Sequence, residues 1–225
     1  MANIEKEFIS AINKYYRIYM QRGTRSPNKL KPVHSFIARH IDEVLNDEEE
    51  RYKIYSLGFN EGKEYSINGR YYPKKEDVVV LDEIDQPILA VSFRFVVSNY
   101  FQNANNYFEN LIGEIANIKS NDICFGHILV LRSKTPYYDE NGKLERIEEL
   151  DQEHLQKYLN LMYDEKYPYS PDILSVFIVE SKNKNSFKKA DLDKLNIDNE
   201  TKYLLETDLS LEHFFDEVRE LCKNQ

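Results

Sequence analysis

Two apolar runs constrain what this chain can become more than anything else in it. VVVL at 78–81 and ILAVSFRFVV at 88–97 are separated by the turn DEIDQP and read as strands over 77–81 and 88–97. A helix-period segment at 104–119 follows, with Ala104, Phe108, Leu111, Ile112, Ile115 and Ile118 on one stripe. Further along, 123–132 and 173–179 read as strands, and 151–162 and 209–223 as helices. Strand, strand, helix, strand, helix, strand predicts an α/β fold: a mixed β-sheet with helices on both faces. Upstream, an amphipathic helix over 4–21 carries Phe8, Ile12, Tyr15, Tyr16 and Tyr19, and a basic loop at 23–32 ends it. A second helix over 33–46 gives way to the acidic break DEEE, and turn signals at Gly58, Gly62 and Asn68-Gly69 predict a short hairpin within 52–76. The segments around Asn141-Gly142 and over 181–200 read as polar or lysine-rich loops.

No domain boundary interrupts this order, and 225 residues suit one domain: a helical, basic segment at 1–50, an α/β core at 70–180, and a lysine-rich loop with a closing helix at 181–225. No stretch approaches the roughly 18 apolar residues of a membrane span, and MANIEKEF is no secretory signal. Cys124 and Cys222 form no metal or disulfide pattern, so a cytoplasmic protein is expected. The five histidines are scattered, with His34 and His40 forming no metal pair at helical spacing, and no P-loop, GxGxxG or GxSxG is present.

The net charge of −9 speaks against nucleic acid, but its distribution speaks for it. Residues 8–41 contain no acid and seven basic residues: Lys14, Arg17, Arg22, Arg25, Lys29, Lys31 and Arg39. The rest of the chain sets 23 basic residues against all 39 acids. A second acid-free stretch, 181–190, holds Lys182, Lys184, Lys188 and Lys189. Phosphate binding requires local clusters of positive charge, not a basic average.

The strands also carry polar residues where a buried strand should have none. Asp77 opens the first, and Ser92 and Arg94 interrupt the second, on the face opposite Val91, Phe93 and Phe95. A charge in mid-strand is costly unless it meets an acid or a phosphate. On the helix, Asn106, Glu109 and Gly113 lie together beside the apolar stripe, with Asn105 close by. Gly113 costs about 1 kcal/mol relative to alanine in a helix interior, which predicts close approach by another backbone, a strand or a partner subunit. Such a face can bring Glu109 onto the polar face of the sheet.

These residues resemble the PD-(D/E)xK nucleases, in particular type II restriction endonucleases. Asp77 matches the first acid of that pattern, and Ser92-Phe93-Arg94 occupies the acid-x-lysine slot. A subgroup has serine there, the missing acid coming from the following helix, where Glu109 stands within QNANNYFENLIG. The resemblance covers roughly residues 70–132 and implies a restriction-endonuclease-like mixed sheet flanked by helices. It also implies hydrolysis of phosphodiester bonds in double-stranded DNA at a specific, palindromic site. One or two Mg²⁺ per subunit would be held by Asp77, Glu109 and the Phe93 carbonyl, with Asp77, Ser92, Arg94 and Glu109 as the catalytic set. Palindromic sites imply a homodimer, and restriction enzymes a methyltransferase partner encoded separately. Arg22, Arg25, Lys29, Lys31, Asn103, Asn105, Asn106, Lys182 and Lys184 are the candidate DNA contacts. Arg94 stands where the family has lysine. Arginine keeps the charge but stays protonated and cannot act as a base. The alternative is therefore a catalytically silent relative that binds DNA or a protein partner in phage defence.

Overall fold

The computed structural model describes residues 4–23, 26–46, 51–60, 62–183 and 185–223. It is an α/β fold around a mixed six-stranded sheet in the order β1-β4-β5-β6-β9-β10, from β1 (Lys53–Ser56), β4 (Val78–Leu81), β5 (Pro87–Phe95), β6 (Cys124–Arg132), β9 (Ile173–Asn183) and β10 (Ser186–Lys189). β5, β6 and β9 pair in parallel, and the outer pairings are antiparallel. The parallel strands are apolar on both sides because helices cover both. Leu89, Val91, Phe93 and Phe95 face α1 (Ile4–Arg22), α2 (Lys31–Leu45) and α6 (Leu211–Lys223). Ala90, Phe125, Leu129, Leu174 and Val176 face α3 (Tyr100–Lys119), α4 (Gln152–Met162) and α5 (Asn199–Glu206). Phe8 of α1 anchors the first layer, its ring 5.1 Å from Phe36 and 5.2 Å from Phe177. Burying one such ring contributes about 1.5–3 kcal/mol.

The expected hairpin is present as β2 (Tyr65–Asn68) and β3 (Pro73–Glu76), a two-stranded ribbon that leads directly into β4. β1, also inside the region read as a hairpin, joins the main sheet instead. Two segments read as loops are structured. Residues 134–149 form a second hairpin, β7 (Lys134–Tyr138) and β8 (Leu144–Glu149), and the 181–200 stretch holds the end of β9, β10 and the start of α5. β8 escapes sequence reading because LERIEE is exposed at every position but Glu148.

Within the chain, no strand approaches Gly113: a Cβ there would meet nothing within 4 Å. Close approach occurs at Gly126, where a Cβ would lie 3.0 Å from Ile173 of β9 and from Phe214 of α6, and at Gly69 in the β2–β3 turn.

Candidate functional site

Asp77 sits at a bend between β3 and β4, and the bend shifts the phase of the chain. Strict alternation puts its side chain with Val79 and Leu81, on the α3 side. It reaches α2 instead, while Glu76 reaches α3. β4 stops pairing with β5 at Val78–Val91, leaving the Phe93 N–H free to donate to Asp77 Oδ2 at 2.7 Å. The Phe93 carbonyl points to the same strand edge as its N–H, on the side of Asp77.

The other oxygen, Asp77 Oδ1, lies 3.4 Å from Nε2 of His34. His34 is 0% exposed, on the apolar stripe of α2, and neither ring nitrogen has a hydrogen-bond partner among the described residues. Glu64, just before β2, completes the group: one ligand atom from each of His34, Glu64 and Asp77 lies within 4.8 Å of the others. A buried polar group without a partner costs about 1–3 kcal/mol. Here the unpartnered imidazole faces two carboxylates, a donor set that fits a divalent cation.

The acid-x-lysine slot faces the other way. Ser92 is buried on the α3 side, its Oγ 2.6 Å from Nδ1 of His127, its cross-strand neighbour on β6. Burial pushes His127 down to about 4, so this imidazole is neutral. Glu76 is pushed up to about 9, first by burial and then by the Glu114 carboxylate. Lys74 forms ion pairs with both Glu76 and Glu114. Glu109 is exposed and has no hydrogen bond or ion pair among the described residues; the α3 acid that reaches the sheet is Glu114. Arg94 is exposed, its guanidinium 5.7 Å from the Tyr107 ring of α3. It also bears on the first layer: the Tyr15 hydroxyl of α1, pushed up to about 12 mainly by burial, feels the opposing charges of Arg94 and Asp77.

The structure therefore brings Asp77 and the Phe93 backbone together, lays Arg94 against Tyr107 of α3, and separates Ser92 and Glu109 from Asp77. Two residues that the sequence pattern does not single out, His34 and Glu64, take their place. His34 carried one usable signal, a titratable ring on the buried stripe with Val33, Ile37 and Ile41. Glu64 carried none.

The expected DNA contacts are dispersed. Arg22 ends α1 and Lys31 begins α2, both exposed, while Lys29 is half-buried over the Tyr15 and Tyr19 rings. Asn103 Nδ2 donates to the Asn99 carbonyl, Asn105 Oδ1 accepts from Lys157, and Asn106 is exposed. Lys182 is exposed on the extension of β9. Arg25 and Lys184 lie outside the described residues. Of the remaining basic residues, Arg39 pairs with Glu7, Lys188 with Glu180 and Lys189 with Glu5.

No protein-family model matches the chain, and no curated protein matches it by sequence. Among solved structures, the crystal structure of a protein of unknown function is similar at 11% identity and a TM-score of 0.30, over 87% of this chain and 95% of that one. No helix among the described residues is long and apolar enough to cross a membrane.

Proposed function

We propose that this protein is a metal-dependent nuclease that hydrolyses phosphodiester bonds in double-stranded DNA, in the manner of a type II restriction endonuclease. The observation that carries the reading is the convergence of His34, Glu64 and Asp77 on one point, with the His34 nitrogens otherwise unpartnered. A bound cation would lower the pKa of a coordinated water and neutralise phosphate charge. The imidazole shifts the expected ion from Mg²⁺ toward Mn²⁺ or a later first-row metal, because Mg²⁺ prefers an all-oxygen shell. The Phe93 N–H fixes the orientation of Asp77, and the Phe93 carbonyl is a further hard donor on the same edge. Arg94 serves as a phosphate-binding cation, held against Tyr107. It takes no proton, so the proton of the attacking water leaves through a substrate oxygen or to solvent. Two-fold action on a palindrome would make the working unit a homodimer.

The test is incubation of unmethylated phage DNA with the purified protein in Mn²⁺, in Mg²⁺ and in chelator, alongside Asp77→Asn. Discrete fragments, stronger in Mn²⁺ than in Mg²⁺ and lost in chelator and in Asp77→Asn, are the expected result. Intact DNA under all conditions refutes cleavage. Salt-sensitive binding without cleavage would favour the second reading, a silent relative, which rests on Arg94 in the lysine position and on Ser92 being engaged by His127.

A further inference from the structure

The β2–β3 ribbon reads YSINGRYYPKKE over 65–76: three tyrosines, three basic residues and one acid, Glu76, which is buried at its base, in a chain of net charge −9. Its inner face is ordinary. Ile67 is buried, Tyr65 packs on Tyr55, and Lys74 is held by Glu114 and Glu76. The turn is not ordinary. Tyr71 is 73% and Tyr72 50% exposed, and neither ring has an aromatic partner among the described residues. Arg70 and Lys75 are exposed and form no ion pair among the described residues.

The backbone that carries these exposed rings is held by a buried side chain. Asn117 of α3 is 1% exposed; its Oδ1 accepts from the N–H groups of Tyr71 (3.0 Å) and Tyr72 (3.3 Å), and its Nδ2 donates to the Tyr72 carbonyl (3.1 Å). The Asn117 carbonyl accepts from the Arg70 N–H, and Asn121 holds the Asn68 carbonyl. The bonds stabilise the turn, and by fixing its backbone they also fix where two rings that themselves bury little leave the surface. The result is a preorganised surface for something that stacks. The ribbon's two ends are Glu64 and Asp77, so it projects from the candidate metal centre. Five residue steps along β3 separate Asp77 from Tyr72, about 16 Å of extended chain.

We propose that the tip of this ribbon binds single-stranded DNA. Unpaired bases stack on Tyr71 and Tyr72, and Arg70 and Lys75 hold the flanking phosphates. The assignment rests on the nuclease reading for its biological setting, since it places an unpaired segment of the substrate about five base steps from the metal. Aromatic stacking and local positive charge are the two elements that bind single strands without regard to sequence. Residues 66–75 of the ribbon carry no acid and suit a polyanion.

The experiment is fluorescence anisotropy of a dye-labelled oligothymidylate of about 20 nucleotides, titrated in chelator at several salt concentrations, with a duplex control. Tyr71→Ala/Tyr72→Ala is expected to weaken binding by about 10-fold or more while its thermal unfolding matches wild type. Arg70→Ala/Lys75→Ala is expected to flatten the salt dependence, by about 0.7 in log–log slope for each phosphate the variant no longer neutralises. Asp77→Asn is expected to bind the oligonucleotide as wild type does. The ribbon assignment and the metal site thus fail separately: loss of cleavage in Asp77→Asn leaves this binding intact. The proposal is overturned if the tyrosine variant binds the single strand as tightly as wild type, if only duplex is bound, or if neither is.

Discussion

Replacing His34 with leucine is expected to make the metal-free protein more stable and to abolish its response to Mn²⁺. The side chain is fully buried, lies among the apolar residues of α2, and carries two ring nitrogens without a hydrogen-bond partner among the described residues. An apolar replacement of similar size relieves that desolvation, worth about 1–2 kcal/mol and a rise of roughly 2–8 °C in Tm for a domain of this size. Metal reverses the order. Ligand held by the native state alone adds about 2.7 kcal/mol at 100 times Kd, so wild type gains in saturating Mn²⁺ and His34→Leu does not. The two melting curves therefore cross as metal is added, a signature of stability sacrificed at a functional site. Scanning calorimetry with and without Mn²⁺ reads this directly. A His34→Leu protein that unfolds earlier in chelator, or that keeps the Mn²⁺ shift, would make His34 a structural residue.

The second large effect concerns the ribbon. Asn117→Ala removes three side-chain hydrogen bonds to the β2–β3 turn, at about 1 kcal/mol each, and is expected to lower Tm by roughly 6–12 °C. Gly69→Ala is expected to cost a similar amount for a complementary reason. Its Cβ would collide with Nδ2 of Asn117, whose amide is pinned and buried. The backbone at Gly69 has no positive φ, so space and not conformation requires glycine there. In the double variant the obstructing amide is gone, and the two costs should fall short of their sum by about 1 kcal/mol or more in denaturant unfolding. Strict additivity would show that Asn117 and Gly69 do not act on one another.

The fold was legible where periodicity dominates. VVVL, ILAVSFRFVV and CFGHILVLR are mostly apolar and buried because helices cover both faces of the sheet, and α3 carries its stripe openly. The second hairpin was not, since β8 owes its place to pairing with β7 and not to burial. At the site, Asp77 stood out as an acid opening an apolar strand. Its partners did not, because one bend moved it to the opposite face from the one alternation predicts. That bend exchanges Ser92 for His34 as its neighbour, a residue 43 positions away on another element. Arg94 was visible as a charge in mid-strand. Its solution, lying exposed against Tyr107 at the end of the sheet, depends on where α3 passes and on nothing local.

His34, Glu64 and Asp77 holding one divalent ion is the arrangement on which the nuclease reading depends. Anomalous scattering from a crystal grown with Mn²⁺ tests it most directly. A single strong peak is expected, about 2.0–2.3 Å from a His34 ring nitrogen and from carboxylate oxygens of Glu64 and Asp77. A crystal without a peak there, or with manganese bound instead between Glu76 and Glu114 on the other face of the sheet, would contradict it.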